Sequence, residues 1–204
     1  DAQSHGGNLA HRPGHLAQVM QFLFTLDVEE KNVVLQGVAQ FRVGFADTGE
    51  DDLVWRAAGG EGNFFYRITA GAQQDNGFPL RNDRREIAFL SGRADWQAGT
   101  HDEFEFQFGY NQGPRGRGTF GDAINPPHDQ EITSRFQQLR WRHRLDSGSE
   151  WALQFYYNHH ESDEQVLTDP VAVPPLGTFR IPINYDVSSD RYQLEFQHSI
   201  PWER

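Results

Sequence analysis

Cysteine is absent from the 204 residues, so the chain can form no disulfide bond, no thiolate zinc site and no cysteine nucleophile. The chain also lacks any apolar run of about 18 residues, which excludes a transmembrane helix. This absence does not exclude a transmembrane β-barrel, whose strands are only half apolar. Lysine is nearly missing, because Lys31 is the only lysine among 18 basic residues. The rest are arginines, which hold planar, bidentate hydrogen bonds and suit fixed polar networks.

The charge balance excludes one broad class of function. The formal net charge is −11 at pH 7, which argues against a general nucleic-acid binder. The aromatic content of 13%, with 20 glycines and 10 prolines, favours strands and turns over helices.

Apolar residues alternate with polar ones along much of the chain, which predicts β-strands. The clearest case is Glu103–Asn111, where Phe104, Phe106 and Phe108 are separated by polar residues. The alternation predicts eight strands, at residues 33–45, 53–58, 64–71, 85–97, 103–111, 132–145, 150–160 and 190–200.

The N-terminal part has a different pattern. Residues 1–14 are polar and glycine-rich, and we assign them no structure. Between residues 15 and 30, Leu16, Val19, Leu23 and neighbouring apolar residues have helical spacing, which predicts one short helix. The predicted organisation is therefore an irregular or short-helical segment at 1–32, followed by β-hairpins at 33–204.

The predicted connections alternate in length. They are short at 59–63, 98–102 and 146–149, and long at 72–84, 112–131 and 161–188. Short turns at one end of a sheet and long loops at the other are typical of an outer-membrane barrel. Several predicted strands also have the roughly 9–11 residues that a tilted strand needs to cross a bilayer.

Many polar positions in the interior of these predicted strands hold charged residues. On the outside of a soluble sandwich these side chains would face water, whereas in a barrel they would face a wet lumen and pair across strands. Trp96, Trp141 and Trp151, among other aromatic residues, lie near strand ends, as in an interfacial girdle. The predicted lumen-facing residues are Arg67, Arg93, Asp95, Glu103, Glu105, Arg140, Arg142, Arg191 and Glu195.

The succession of hairpins resembles the barrel of TonB-dependent outer-membrane receptors, over about residues 33–200. The phrases that carry the resemblance are Phe65–Gly71 (FYRITAG), Gly92–Gln97 (GRADWQ), Trp141–Leu145 (WRHRL), Trp151–Tyr157 (WALQFYY) and Asp190–His198 (DRYQLEFQH). The resemblance implies an all-β, antiparallel, up-and-down transmembrane barrel in the outer membrane of a Gram-negative bacterium. It also implies uptake of a siderophore- or cobalamin-like ligand, with outer-membrane lipid and a small metal chelate as partners.

The chain departs from that family in two respects. The family has a barrel of about 22 strands, whereas the sequence predicts about eight. The family also has an N-terminal plug that contacts TonB, and residues 1–32 are too short for one. We therefore expect part of a larger barrel, which could reach TonB only through a plug that these residues lack. Two alternatives stay open: a complete, small eight-stranded barrel with a structural or adhesive role, and a soluble β-sandwich binding module.

Few residues suggest chemistry. Arg115 and Arg117 lie in a predicted loop and could contact an anionic ligand such as a ferric siderophore. His159 and His160 precede the longest predicted loop and could contact a metal chelate or haem. His11 and His15 are four residues apart, but Pro13 lies between them and no third ligand is evident. We find no catalytic set, no cofactor motif and no metal site, and we expect no enzyme.

Overall fold

The computed structural model describes residues 18–30, 33–45 and 50–201, with side chains from residue 50 onward. Every regular element in this part of the chain is a strand, which confirms the prediction of an all-β, antiparallel fold. The long strands are β1 (Gln18–Glu30), β2 (Val33–Phe45), β3 (Glu50–Glu61), β4 (Phe64–Asp75), β5 (Arg85–Ala98), β6 (Asp102–Arg117), β7 (His128–Arg144) and β8 (Glu150–Asp163). Four short strands follow, β9 (Gln165–Leu167), β10 (Val171–Val173), β11 (Gly177–Phe179) and β12 (Pro182–Asn184), and then the long β13 (Val187–Ser199).

The nine long strands form one sheet in which each strand pairs with the next one along the chain. The order is β1 to β8 and then β13, an up-and-down meander. Within the described ranges the two outermost strands, β1 and β13, are not paired with each other, so the sheet is open. Among the described residues, no strand pairs with the outer side of β1 or of β13, so both are edge strands in this part of the chain.

The helix predicted between residues 15 and 30 is wrong over the part that the structure describes. Residues 18–30 form strand β1, which pairs with β2 along its whole length. The reason is visible in the sequence, because Met20, Phe22, Phe24, Leu26 and Val28 also alternate with period two. Tertiary pairing with β2 favours that period, and the sheet therefore has one more long strand than predicted.

The alternation of short and long connections is confirmed between β3 and β13. The short ones are 62–63, 99–101 and 145–149, at what we call the short-turn end. The long ones are 76–84, 118–127 and 164–186, at the long-loop end. The strands extend further into these connections than predicted, so the loops at 76–84 and 118–127 are shorter than expected. The loop predicted at 161–188 is partly ordered, because β9 pairs with β12 and β10 pairs with β11.

Cross-strand register divides the described side chains between two faces of the sheet. The polar face holds the even positions of β3, β7 and β8 and the odd positions of β4, β5, β6 and β13. The remaining positions form the apolar face. Leu139, for example, lies between Phe106 and Phe155 on the apolar face.

The two faces differ in exposure in an unusual way. The apolar face is the exposed one, with Phe106 at 41%, Leu139 at 46% and Phe155 at 43% exposure. Buried residues of the long strands, such as Ser162, Ala152 and Thr69, belong to the polar face. Among the described apolar residues only Ala152 and Val166 are buried, at 6% and 3% exposure. The side chains of the polar face therefore shield one another from solvent more than those of the apolar face do.

Glycines in strand interiors lie directly opposite phenylalanines. The ring of Phe136 covers Gly109, and the ring of Phe108 covers Gly92. A Cβ atom added at either glycine would lie 2.3 Å from a ring carbon. These positions therefore need glycine because an aromatic ring of the next strand occupies the space above the backbone.

Candidate functional site

The described charged residues predicted for the strand interiors all lie on the polar face. Register places Arg93 opposite Gln107, Asp95 opposite Glu105, and Glu103 opposite Arg142. The face therefore brings together all the residues predicted to line a lumen, namely Arg67, Arg93, Asp95, Glu103, Glu105, Arg140, Arg142, Arg191 and Glu195.

Several of these charges form a network across β5, β6 and β7. The Arg93 guanidinium lies 2.7 Å from a carboxylate oxygen of Asp95 and 3.1 Å from one of Glu105. Arg142 donates a hydrogen bond to Glu103. The Glu105 side chain is only 12% exposed, and the contact with Arg93 offsets the cost of removing its carboxylate from water. Opposite charges on neighbouring strands thus stabilise the polar face and fix its side chains.

Arg115 and Arg117 lie in strand β6 and not in a loop, which corrects the sequence-based placement. Both belong to the polar face. Arg117 donates a hydrogen bond from Nε to Oε1 of Gln130, at 2.8 Å. Arg115 lies directly opposite Arg85, a residue that sequence reasoning missed. Like charges placed opposite each other are unfavourable. Within the described chain, neither Arg85 nor Arg115 forms an ion pair.

His159 and His160 lie in strand β8 and not in a loop, and they point to opposite faces. His159, on the apolar face, donates from Nδ1 to Asp190 at 2.9 Å. On the polar face, Nδ1 of His160 lies 2.7 Å from the hydroxyl of Ser134. The two histidines therefore cannot contact one ligand together. His11 and His15 lie outside the described residues.

The long loops contact one another, a feature that sequence reasoning missed because the partners are distant in the chain. The Asn82 side-chain amide donates to the backbone carbonyls of Arg117 and His128, at 2.6 and 2.8 Å. The N–H of Asp169 donates to the carbonyl of Ala123, at 2.8 Å. Polar contacts thus join the loops at 76–84, 118–127 and 164–186 into one unit, which we call the loop cluster.

His128 and Glu164 lie at the centre of the loop cluster. Nε2 of His128 is 2.9 Å from Oε1 of Glu164, and the two side chains are only 11% and 15% exposed. The other carboxylate oxygen of Glu164 accepts a hydrogen bond from Gln130, at 2.8 Å. Nδ1 of His128 faces the carbonyl of Pro126, also at 2.8 Å. Each polar atom of this bridge therefore has a partner.

Hydrogen bonds in and beside the loop cluster shift the pKa values of Asp186 and Arg84. Asp186 accepts a hydrogen bond from the backbone N–H of Glu164, which lowers the pKa of Asp186, and the Asn184 side chain acts in the same direction. Asp129 accepts a hydrogen bond from Arg84 and raises the pKa of that guanidinium. Each hydrogen bond therefore favours the charged form of the group whose pKa it shifts, the Asp186 carboxylate in one case and the Arg84 guanidinium in the other.

Aromatic side chains border the apolar face on both sides. Trp96, Phe104, Trp141 and Trp151 form a row near the short-turn end, with adjacent ring centroids 5.5, 5.9 and 4.3 Å apart. Tyr110 borders the apolar face nearer the long-loop end, six positions from Phe104 along β6. At the rise of a strand this separation is roughly 20 Å. The apolar residues between these two borders form what we call the apolar band. The apolar band thus lies between two aromatic borders.

A cavity of about 610 Å³ lies near the long-loop end. Leu53, Ala72, Ala88 and Tyr110 of the apolar face line it, together with the carboxylates of Asp51, Glu86 and other acidic residues. Arg115 and Arg117 are not among its lining residues. The residues predicted to bind an anion therefore belong to the polar face and not to this cavity.

Comparisons with known proteins identify no relative: no family model, no curated protein and no solved structure matches the chain. No helix in the described ranges has the length and apolar character to cross a membrane. Nor does the described part of the chain bring three or more His, Asp or Glu side chains together as ligands for a metal ion.

Proposed function

We propose that this chain forms part of the wall of an outer-membrane β-barrel, with the apolar face against lipid and the polar face towards a wet lumen. The observation that carries the proposal is the exposure of the apolar face. A soluble sheet buries its apolar face against a second layer of structure. None of the described residues forms such a layer, and lipid is the apolar environment that this face requires.

The aromatic borders of the apolar face support the same proposal. Outer-membrane barrels have an apolar band between two aromatic girdles. On β6, Phe104 and Tyr110 lie at the two borders of the apolar face, as residues of two such girdles would. The soluble β-sandwich is disfavoured because it leaves this band unexplained.

The open sheet favours a large barrel over a small one. A complete eight-stranded barrel would close on itself, whereas nine long strands are present and β1 is not paired with β13 in the described ranges. Together with the resemblance of its hairpins, this supports a wall segment of a TonB-dependent receptor. Such a receptor takes up a siderophore- or cobalamin-like ligand, and the loop cluster would contact that ligand first.

An anionic metal chelate is the class of ligand that we propose. Arg85, Arg115 and Arg117 lie together on the polar face below the loop cluster. Since the first two have no acidic partner in the described chain, their guanidinium groups can bind the oxygens of a chelate.

The membrane proposal is tested by refolding the chain into lipid vesicles with brominated acyl chains. Bromine quenches tryptophan fluorescence on contact, so the row formed by Trp96, Trp141 and Trp151 should be quenched. Strong quenching by bromine near the headgroups and weaker quenching at the bilayer centre is the expected profile. A soluble, folded chain without quenching would refute the membrane proposal.

The ligand proposal needs a separate test, with ferric citrate as the probe. We expect binding to the refolded chain to weaken at least tenfold in the double variant Arg85→Gln, Arg115→Gln, because charge-assisted hydrogen bonds are lost. Arg191→Gln is the matched control, since Arg191 lies on the same face but on β13. Equal binding by all three proteins would refute the assignment of these arginines and leave the membrane proposal intact.

A further inference from the structure

We propose that His128 and Glu164 form a pH-sensitive latch that closes the loop cluster in acid and releases it as the pH rises. The two residues come from different connections: His128 begins β7 directly after the loop 118–127, and Glu164 begins the segment 164–186. Their side chains meet at 2.9 Å and are almost shielded from water. The bridge thus joins two long loops at their bases.

The number of protons in the bridge decides its pH dependence. One ring nitrogen of His128 faces the carbonyl of Pro126 and the other faces the carboxylate of Glu164, and both partners are acceptors. A neutral imidazole carries only one N–H and can satisfy one of them. Both hydrogen bonds can form only when the pair carries one extra proton, compared with a neutral His128 imidazole beside an ionised Glu164 carboxylate.

The rest of the bridge keeps Glu164 in place whether or not this proton is present. Gln130 donates to the second oxygen of Glu164, and Asp186 accepts from its backbone N–H at 2.8 Å. When the proton leaves, a ring nitrogen without hydrogen faces either a carbonyl or a carboxylate, and that contact becomes repulsive. His128 is thus the movable part of the latch.

The charged groups around the bridge come from each neighbouring element. Arg117 of β6 lies opposite His128 in the register and donates to Gln130. Asp129 of β7 is paired with Arg84 of the loop 76–84 at 2.8 Å, and Asp186 precedes β13. Histidine is the side chain whose ordinary charge change lies between about pH 5 and 8, so we assign the release to His128.

The test is a distance measurement between two spin labels. Because the chain has no cysteine, Ile124→Cys and Leu176→Cys provide the only two labelling sites. Both positions are exposed, at 60% and 71%, and they lie in the two loops that the latch joins. We expect one narrow distance distribution at pH 5, and at pH 8 on the order of a tenfold larger population at longer distances, the effect of losing one charge-assisted hydrogen bond.

Two variants and a control separate the latch from general loop motion. His128→Gln and Glu164→Gln each remove the extra proton and should give the same distances at pH 5 and pH 8. His160→Gln removes another histidine of the polar face and should leave the pH dependence unchanged. A pH dependence that persists in His128→Gln, or distances in the parent chain that do not change with pH, would overturn the proposal.

Discussion

Leu139 lies in the middle of the apolar face and provides a sharp test of which solvent this face meets. Its side chain is 46% exposed and lies between Phe106 of β6 and Phe155 of β8. In water, replacing such a half-exposed leucine by arginine changes stability little, typically within about 0.5 kcal/mol. At the midplane of a bilayer the same change costs about 2–4 kcal/mol, because the guanidinium must leave water.

Leu139→Arg should therefore destabilise the chain in lipid vesicles by about 2–4 kcal/mol. The neighbouring residue provides a matched control. Gln138 lies on the polar face between Gln107 and Tyr156, so Gln138→Arg introduces the same charge at the same position along the strand but towards the proposed lumen. We expect this control to change stability by less than about 1 kcal/mol.

The assay is denaturant unfolding of both variants in vesicles, followed by tryptophan fluorescence. A difference of 2 kcal/mol or more between the variants corresponds to roughly a 30-fold ratio of unfolding equilibrium constants. If both variants lose the same stability, or if Gln138→Arg loses more, the assignment of the two faces is refuted.

Three further predictions concern single contacts. Gly109→Ala should lower the free energy of unfolding by about 1–3 kcal/mol because the added Cβ meets the Phe136 ring. In a double-mutant cycle most of that cost should vanish in a Phe136→Ala background, and additive effects would contradict the contact. Glu105→Gln should destabilise the chain by about 1 kcal/mol in the same unfolding assay, because the ion pair with Arg93 is lost. The expected loss is small since Arg93 is 40% exposed and water screens the pair, and no change would mean that the pair contributes nothing to stability. The pKa of Asp186 is lowered in the folded chain, so its contribution is present above the ordinary pKa of 3.8 and is lost as the pH falls through the folded value. The protection factor of the N–H of residue 164, which compares its amide exchange with the intrinsic rate at the same pH, should therefore fall in acid. Asp186→Asn should abolish that pH dependence, and an unchanged profile in the variant would contradict the assignment.

The strands and their two faces could be predicted because period two is a local property. Alternation from Glu103 to Asn111 places all its apolar residues on one face whatever the strand pairs with. Residues 18–30 were assigned wrongly because their apolar residues fit both a helical and an extended period. Pairing with β2 decides between the two, and that pairing is a tertiary property.

The candidate site was predicted in part. The charged positions of the strands were assigned to one side correctly, because register preserves the alternation from strand to strand. His159 and His160 were grouped because they are adjacent in sequence, although adjacent strand residues point to opposite faces. Arg85 was missed since its proximity to Arg115 depends on how β5 pairs with β6.

Composition and alternation alone were thus enough to predict an all-β chain with one apolar and one charged side and with connections that alternate in length. Three features depend on the tertiary structure: the exposure of the apolar face, the glycine–phenylalanine contacts and the bridge between His128 and Glu164. The physical reason is the range of the interactions. Alternation acts between residues next to each other in the chain, whereas the bridge joins residues 36 positions apart, which only the folded sheet brings within hydrogen-bond distance.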